Sequence, residues 1–362
     1  MNLERWLPRL VRCSLILCGG IVWGGSLSGC GPAAERASKP ETPIAKTTGL
    51  TMGTYYSVTI ANPPQELPAD WTERVDAELR QVNDQMSTYL ESSEISRFNR
   101  STSLDWFPVS GETAMVVAVA QEVSAATGGA FDITVGPLVD AWSFGPGKRT
   151  GRPPSAAELE SLRRKVGYEN LEVRRDPPAL RKKIPELRID LSAIAKGHGV
   201  DRVLGLLVEL GCEHAFVDIG GEDRAIGRRG ERGWRVAIED PNDEQRRYAM
   251  AIELNDRAIA TSGDYRNFFE FEGRRYSHTI DPRTGRPIEH GVASVSVIAN
   301  DCMTADAWAT ALAVVGPTDG LELASRFDLA VRFVVRESED RFRVVASDTF
   351  PGNILLFMDA DE

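Results

Sequence analysis

Residues 189–222 read IDLSAIAKGHGVDRVLGLLVELGCEHAFVDIGGE, and this stretch carries the pattern that decides the fold. Apolar residues recur at helical spacing after Val200, and Gly211 is a stop signal, so the stretch predicts a helix over 195–210. A short strand is predicted next over Ala215–Ile219, and paired glycines end it. The sequence therefore predicts a helix that leads directly into a short strand and a turn.

Short strands continue along the chain in runs and do not alternate with helices. They are predicted at Tyr55–Ile60, Trp234–Ile238, Ala249–Leu254, Arg275–Thr279, Val292–Ile298, Leu329–Val335 and Phe342–Ala346. Further helices are predicted at Pro68–Met86, Glu112–Ala126, Ser155–Lys165 and Thr304–Val315. Such runs favour an α+β fold with mainly antiparallel sheets and packed helices over a doubly wound parallel sheet.

The composition of the chain is globular and acidic. It has 362 residues, of which 42% are hydrophobic, and a formal net charge of -11. This apolar content is enough to offset chain entropy, so disorder is excluded as the main state. The negative charge argues against a general nucleic-acid binder, which needs a basic surface to displace counterions.

The amino terminus resembles a bacterial lipoprotein signal. Arginines come first, a short glycine-interrupted apolar stretch follows from Cys13 to about Leu27, and small residues then lead to Cys30. We expect residues 1–29 to be a cleaved signal peptide, with Cys30 lipidated and residues 30–46 forming a tether. The folded domain is then 47–362, anchored by lipid to a membrane of the bacterial cell envelope. An uncleaved anchor and an ordinary secretory signal stay open as alternatives.

Only two cysteines remain in the folded part under this interpretation. Cys212 follows a helix-ending glycine, and Cys302 lies in a loop before a predicted helix. In an oxidising compartment they could form one disulfide. Two buried free thiols are an equally open possibility.

Residues 189–198 hold the first group of candidate site residues. Asp190 is predicted at the end of a strand, and Lys196 in the first turn of the following helix. A cation is unfavourable at the positive end of a helix, and a bound phosphate would remove that conflict. A solvated lysine with Asp190 as a helix cap is the alternative.

Three further segments have polar or glycine-rich chemistry. Gly220-Gly221 permits close backbone approach to a ligand, although a plain turn explains it equally well. Residues 260–267 are typical of loops that hold anionic oxygens, or of a capped turn. His278 is predicted at the end of a strand beside an Asp-Pro turn, where it is a candidate base or a structural histidine.

Asp306 and Thr310 are four residues apart and therefore share one helix face. Their small alanine neighbours leave room for something to approach. A carboxylate with a hydroxyl suits Mg²⁺, which keeps waters and recruits phosphate oxygens. Alternatively, Asp306 stabilises the helix dipole and Thr310 bonds back to the backbone.

Taken together, these groups suit phosphoryl transfer, in which positioning and charge neutralisation supply most of the catalysis. The sequence has no Walker-type phosphate loop, no protein-kinase signature and no GxGxxG motif that opens a βαβ unit. A nucleotide would therefore be held in another way.

In this order, the segments resemble the FAD:protein FMN transferase family, also called the ApbE family of flavin transferases. The matching pieces span roughly residues 50 to 320 and are Met52-Gly53-Thr54, Met86 to Tyr89, Ser96 to Asn99, Gly129 to Leu138, Asp190 to Gly197, Gly220 to Glu222, Thr261 to Arg266, His278 to Gly285 and Met303 to Thr310. The resemblance implies an ApbE-like fold related to the T-fold. It also implies a lipoprotein that faces the periplasm.

Family knowledge further implies roles for residues at matching positions. The FAD site would be lined by Met52, Tyr89, Ala130, Phe131, Asp132, Asp190, Lys196 and Ile280. Mg²⁺ would be held by the carbonyl of Ala193, with Asp306 and Thr310. His278, or alternatively a neighbouring carboxylate, would be the general base. Two features depart from the pattern. Asp218 stands where we expect asparagine, and the basic loop from Gly145 to Pro154 would reshape the entrance.

The implied activity is Mg²⁺-dependent transfer of the FMN moiety of FAD to a threonine hydroxyl of an acceptor protein, with release of AMP. A subunit of a membrane redox complex is the implied acceptor. Two alternatives stay open. Water could replace threonine, which gives an FAD pyrophosphatase, or the chain could be a non-enzymatic flavin-binding lipoprotein. The metal pair argues against the last, because flavin binding alone needs no metal.

Overall fold

An eight-stranded antiparallel sheet is the frame on which the other elements pack. The computed structural model describes residues 42–145, 151–239, 248–263, 268–338 and 341–354. Its strands are β1 Ile44–Thr51, β2 Thr54–Ala61, β3 Phe107–Pro108, β4 Leu171–Arg175, β5 Pro178–Lys182, β6 Ala215–Ile219, β7 Glu222–Ile226, β8 Trp234–Glu239, β9 Tyr248–Leu254, β10 Ala258–Gly263, β11 Phe268–Phe271, β12 Arg274–Ser277, β13 Ile280–Asp281, β14 Arg286–Pro287, β15 Val292–Ala299, β16 Ala330–Ser338 and β17 Arg341–Ala346.

The helices of the described residues are α1 Trp71–Met86, α2 Glu94–Arg100, α3 Gly111–Ala126, α4 Gly136–Ala141, α5 Ala156–Arg163, α6 Ala195–Glu209, α7 Cys302–Val315 and α8 Pro317–Arg326. Neighbours in the large sheet follow the order β1-β2-β6-β7-β10-β15-β16-β17, and every pairing in it is antiparallel. Small sheets are formed by β3-β5-β4, β8-β9, β11-β12 and β13-β14. The predicted α+β class with mainly antiparallel sheets is confirmed.

Helices α6 and α7 place the residues of interest against this sheet. The apolar face of α6 packs with α1 on β2 and β6 through buried residues that include Val200, Val203, Leu204 and Leu207. Helix α7 packs against β10 and β15 and is buried along most of its length. Burial of this apolar surface stabilises both helices in fixed positions, because an isolated helix of this length is marginal in water.

The stretch that decides the fold behaves as predicted. The helix expected over 195–210 is α6, and the strand Ala215–Ile219 has the expected bounds. Gly220 and Gly221 have φ of 64° and 97°, and they join β6 to β7 in a two-residue hairpin. Both dihedrals lie in the region that favours glycine, so the predicted turn is present. Asp190, in contrast, lies in an irregular segment and not at a strand end.

The amino-terminal predictions fall mostly outside the described residues. Residues 1–29 and Cys30 lie there, while β1 begins at Ile44 and so includes the end of the expected tether. In the part of the chain that the structure describes, no helix has the length and apolar character needed to cross a bilayer. Cys212 and Cys302 are both buried free thiols.

Gly197 provides a test of how closely α6 and α7 must approach. A Cβ at this position would lie 2.2 Å from the carbonyl oxygen of Cys302 and 2.6 Å from its carbonyl carbon. Backbone atoms cannot move aside as a side chain can, so we expect Gly197→Ala to lower the free energy of unfolding by about 3 kcal/mol. Urea denaturation would measure the loss.

Gly205 on the same helix is the matched control. A Cβ there would have no heavy atom within 4 Å. Gly205→Ala should therefore raise stability by about 0.5–1 kcal/mol, because alanine is the better helix former. Equal effects of the two substitutions would show that the contact between α6 and α7 is not tight.

Candidate active site

A cavity of about 420 Å³ lies where the amino-terminal ends of α4 and α6, the end of β10, and α7 come together. This volume is within the range of ligand pockets. Small and polar residues from distant parts of the sequence line it, among them Gly136, Ser192, Gly220, Glu222, Thr261, Ser262, Gly263 and Thr279.

Most of the residues predicted from the sequence meet in this cavity. Its lining includes Ala130, Phe131, Asp132, Asp190, Ala193, Lys196, His278, Ile280, Asp306 and Thr310. Two predicted flavin contacts lie elsewhere in the structure. Met52 occupies the β1–β2 turn with φ of 48° and packs against two hydrophobic clusters, while Tyr89 is 79% exposed. Residues 264–267 of the predicted anion-binding loop lie outside the described residues, as do 146–150 of the entrance loop.

Asp306 is the most buried carboxylate of the cavity, with 3% of its surface exposed. Its Oδ2 accepts a hydrogen bond of 3.0 Å from the backbone N–H of Gly197, and its Oδ1 lies 3.7 Å from Nζ of Lys196. Thr310 follows one helical turn later, and its Oγ1 lies 3.2 Å from Oγ of Ser262. The predicted shared face of Asp306 and Thr310 is thus present and lines the cavity.

Lys196 lies between two carboxylates. Its Nζ forms ion pairs with Glu222 and with Asp306. Burial lowers the pKa of Lys196, but the charges of Asp306 and Glu222 outweigh this effect, so the net pKa is raised. These carboxylates remove the conflict between the lysine and the helix dipole without a phosphate. Lys196 is therefore a fixed cation at the cavity wall.

Glu222 also lines the cavity, and the sequence analysis gave it no role. It is 4% exposed, and within the described residues its Oε2 has no hydrogen-bond partner. Burial raises its pKa to about 8, although Lys196 acts in the opposite direction. The sequence did hold a signal for Glu222, since it directly follows Gly220-Gly221. A turn that borders a cavity can place the next side chain in the cavity lining as well.

Asp218, which stands where the family pattern has asparagine, lies in the β6–β7 hairpin and not in the cavity lining. Its Oδ1 accepts from the N–H of Gly221 at 2.9 Å, inside the β6–β7 hairpin. Asp218 is not among the residues that line the cavity. The hydrogen bond from Gly221 is one that an asparagine oxygen would also accept, and the charge of Asp218 acts on the cavity through Glu222, whose pKa it helps to raise.

Asp132 stabilises the loop that carries Ala130 and Phe131. Its carboxylate accepts from N–H and Oγ1 of Thr134, both at 2.7 Å, and from N–H of Tyr168 at 2.9 Å. Burial nevertheless raises its pKa to about 6. A carboxylate with three donors is committed to local structure, and we interpret Asp132 as a residue that shapes this wall.

The segment before α6 is held by Asn99, which the resemblance included without a role. Its Oδ1 accepts from N–H of Ile189 and its Nδ2 donates to the carbonyl of Ile189, both at 2.8 Å. Asp190 then donates its N–H to the carbonyl of Ile133 at 2.7 Å and accepts from N–H of Ser192 at 2.9 Å. These bonds fix the irregular segment and direct the chain into α6.

His278 directly follows β12, as predicted, and it lines the cavity with Thr279, Ile280 and Pro282. Its half-buried ring lies edge-on to Phe144, with 6.2 Å between ring centroids. The following turn is fixed by an ion pair of 2.9 Å between Arg283 and Asp281. An imidazole held in this way at a cavity wall is suited to accept a proton from a bound hydroxyl.

Three oxygen donors of the cavity form a set that suits Mg²⁺ bound with few protein ligands. Among the described residues, no group of three or more His, Cys, Asp or Glu side chains could hold a metal ion. Asp306, the Thr310 hydroxyl and the Ala193 carbonyl instead offer one carboxylate and two neutral oxygens. Mg²⁺ commonly binds in this way, through one or two carboxylates with waters and substrate phosphates completing the shell.

Lys196→Met tests the charge balance of the cavity wall. The side chains of Glu222 and Asp306 are each only 5% exposed. Above the pKa of Glu222, which is about 8, removal of the cation leaves Asp306 charged without a counter-ion and forces Glu222 either to carry an uncompensated buried charge or to take up a proton. We expect a loss of about 3 kcal/mol in the free energy of unfolding, measured by urea denaturation. The double variant Lys196→Met with Glu222→Gln should recover at least about 1 kcal/mol of it.

Lys183→Met is the control, because Lys183 forms an exposed pair of 3.8 Å with Glu172. Loss of such a pair should cost less than about 1 kcal/mol. If the double variant were no more stable than Lys196→Met alone, the two carboxylates would not be repelling each other in the way the geometry indicates.

Comparison with known proteins identifies the family of the chain. The family model described as the ApbE family matches residues 52–333. A protein from Vibrio cholerae named FAD:protein FMN transferase is 45% identical over 326 residues, which are 90% of this chain and 94% of that protein. A protein of the same name from Escherichia coli is 37% identical over 325 residues, or 89% of this chain and 92% of that one.

Solved structures of ApbE proteins have the same fold. The flavin transferase ApbE from Vibrio cholerae superposes with a TM-score of 0.78 at 44% identity and covers 85% of this chain and 98% of its own. The apo form of the flavinyl transferase ApbE from Pseudomonas stutzeri gives a TM-score of 0.77 at 39% identity, over 85% of this chain and 96% of its own. On the match over residues 52–333 and these relatives, the chain belongs to the ApbE family.

Proposed function

We propose that this chain is an FAD:protein FMN transferase that moves the FMN moiety of FAD to a threonine hydroxyl of an acceptor protein and releases AMP, with Mg²⁺ as its metal. One observation carries the proposal. A single cavity brings together the Asp306–Thr310 pair, the fixed cation Lys196 and His278, in a chain whose relatives bear that name.

The residues divide into those that hold the diphosphate and those that hold the metal. Lys196 and the small residues Gly220 and Gly263 border the space for phosphate oxygens. Asp306, Thr310 and the carbonyl of Ala193 would hold Mg²⁺, which supplies charge neutralisation on the diphosphate and on the leaving oxygen. Because the net charge of the protein is -11, the overall charge does not attract FAD, and binding depends on these local groups.

The transfer itself needs a base and an in-line arrangement. His278 takes the proton from the threonine hydroxyl, and the threonine oxygen attacks the phosphorus nearer riboflavin. The bond between that phosphorus and the bridging oxygen breaks, and AMP leaves with that oxygen. The products are FMN in phosphoester linkage to threonine, AMP and a protonated base, so atoms and charge balance.

The test is direct. We would incubate the purified chain with FAD, Mg²⁺ and a candidate acceptor, and measure the acceptor mass and the AMP that is released. An FMN-sized mass increase that disappears when the acceptor threonine is replaced by valine is the expected result. AMP formed at the same rate without acceptor would favour hydrolysis of FAD, and FAD recovered unchanged would favour simple flavin binding.

We also propose that the chain is a lipoprotein of the bacterial cell envelope that faces the periplasm. The support is the sequence pattern that ends at Cys30. Mass spectrometry of the mature chain from the membrane fraction should find Cys30 as the first residue, with a lipid on its thiol. A mature chain from that fraction that begins at another residue, or whose Cys30 carries no lipid, would contradict lipid anchoring at Cys30.

A further inference from the structure

Helix α6 begins without a side-chain cap of its own. The residue before it, Ile194, is apolar and makes no side-chain hydrogen bond to the first turn. The N–H of Gly197 in that turn instead donates to Oδ2 of Asp306 on α7. Since the first amides of a helix need acceptors, Asp306 serves as a cap for the neighbouring helix.

Helix α7 begins with the reverse arrangement. Asp201, in the second turn of α6, accepts from N–H of Cys302 through Oδ1 and from N–H of Met303 through Oδ2, both at 2.9 Å. The next amide, that of Thr304, donates to the side chain of Asp301. Each helix therefore caps the other, and Asp201 holds the two outermost amides of α7.

Arg224 on β7 fixes the Asp201 carboxylate from the opposite side. Its Nη1 donates to Oδ1 of Asp201 at 2.6 Å, and the side chains of Asp201 and Arg224 are 16% and 26% exposed. Charge-assisted bonds in such a setting are shorter and stronger than neutral ones. The start of α7 is consequently tied through Asp201 to both α6 and the central sheet.

A small displacement of α7 would move the side chains that this helix places in the cavity. Asp306 and Thr310 lie on α7, in the turns that follow the capped one, while Gly197 leaves no space for a side chain between the helices. Any shift of the α7 start relative to α6 must alter the bond between Gly197 and Asp306 and the distance from Asp306 to Lys196.

We propose that Asp201 is a positioning residue for the metal site, because it fixes α7 and thereby sets the orientation of the Asp306 carboxylate. This inference rests on the proposed function, in which Asp306 holds Mg²⁺. Asp201 is not among the residues that line the cavity. Its effect passes through helix α7, as outer hydrogen bonds orient ligand side chains in other metal sites.

The experiment compares Asp201→Asn with Arg202→Gln in the purified full-length chain. Arg202 is the adjacent residue of α6, but it forms ion pairs with Glu78 and Glu112, away from α7. The first readout is the dissociation constant for Mn²⁺ without FAD, from electron paramagnetic resonance of the free ion. We expect Asp201→Asn to weaken Mn²⁺ binding about tenfold, and Arg202→Gln to leave it within about twofold of wild type.

The second readout needs no metal. Cys302 is the first residue of α7 and is 0% exposed, while Cys212 is 3% exposed and belongs to a segment after α6. If Asp201 holds the start of α7, Asp201→Asn should speed alkylation of Cys302 by iodoacetamide about tenfold and leave Cys212 unchanged. Peptide mass spectrometry distinguishes the two cysteines.

Unchanged Mn²⁺ affinity in a folded Asp201→Asn variant would overturn the proposal, whatever happens to Cys302. Equal weakening by Arg202→Gln would also overturn it, because the cause would then be general destabilisation. Arg224→Gln is the second variant if Asp201→Asn does not fold. Arg224→Gln keeps both hydrogen bonds from the α7 amides to Asp201, so we expect it to weaken Mn²⁺ binding about threefold. Unchanged Mn²⁺ binding in this variant would overturn the proposal. Failure of the wild type to bind Mn²⁺ both without FAD and in its presence would instead contradict the proposed metal site, so the two failures are distinguishable.

Discussion

Asp306→Asn is expected to reduce FMN transfer by about 10²–10³-fold while the chain stays folded. The substitution removes a buried negative charge beside Lys196 and therefore weakens the only carboxylate that we assign to Mg²⁺. The asparagine oxygen can still accept from the N–H of Gly197, so the start of α6 keeps its cap. The expected defect is thus chemical and not structural.

Asp306→Ala separates these two contributions. Alanine loses the charge and also leaves the amide of Gly197 without its acceptor, which should cost about 1–3 kcal/mol of stability in addition to activity. Transfer would be followed as the acceptor mass gain over a series of Mg²⁺ concentrations, and stability by urea denaturation. Both variants should fall to the same low rate and differ in stability.

Asp301→Ala is the matched control on the same helix. Asp301 caps α7 through the N–H of Thr304 and is not among the residues that line the cavity. Its loss should cost about 1 kcal/mol of stability. Metal-dependent transfer should stay close to the wild-type rate, because Asp201 still holds the two outermost amides of α7. Transfer at the wild-type rate by Asp306→Asn, at the same Mg²⁺ concentrations, would refute the metal assignment.

The local elements were predictable because their signals lie within short stretches. Periodic apolar residues defined α6, and the serine at 155 marked the start of α5, where it forms a capping box with Glu158. Two glycines in sequence predicted the turn between β6 and β7. Each of these features depends on residues within a few positions of each other, so one sequence is enough to find it.

The order of strands in the large sheet has no such local signal. Strand β10 pairs with β7 on one side and with β15 on the other, across long separations in sequence. Strands β1, β7 and β10 of this sheet were not predicted, and neither were helices α2, α4 and α8. Pairing of this kind is decided by packing across the whole fold, because strand propensity depends strongly on context.

The candidate site also combines groups with local sequence signals and contacts that form only in the folded chain. The motifs that contain Lys196, His278 and Asp306 were found, but the ion pair between Lys196 and Glu222 was not, since its partners meet only after the sheet has formed. The contact of Asp201 with the start of α7 was missed for the same reason. Sequence therefore identified chemical groups, whereas the structure identified the neighbours that set their charge and orientation.

His278→Ala is expected to lower the rate of FMN transfer by about 10²–10⁴-fold with little change in the KM for FAD. His278 lines the same cavity as Lys196 and Thr310, at the end of a strand and beside a fixed turn. A group that removes the threonine proton acts in the transition state, so its loss should appear in kcat.

The dependence on pH gives the sharper measurement. For a general base, the wild-type rate rises with pH as the base loses its proton, and this rising limb should be absent in His278→Ala. Added imidazole should restore part of the rate in the variant, because the free base can occupy the vacated space. His214→Ala is the control, since His214 accepts from the N–H of Arg228 and is not part of the cavity lining.

Two results would assign the base elsewhere. If His278→Ala kept the rising limb of the pH profile at a reduced rate, a carboxylate of the cavity would be the base and His278 would orient the substrate. Glu222 would then be the first candidate, because burial already raises its pKa to about 8. A full wild-type rate in His278→Ala would remove the imidazole from the mechanism, whereas loss of both the rate and the limb, with rescue by imidazole, would establish His278 as the group that takes the proton.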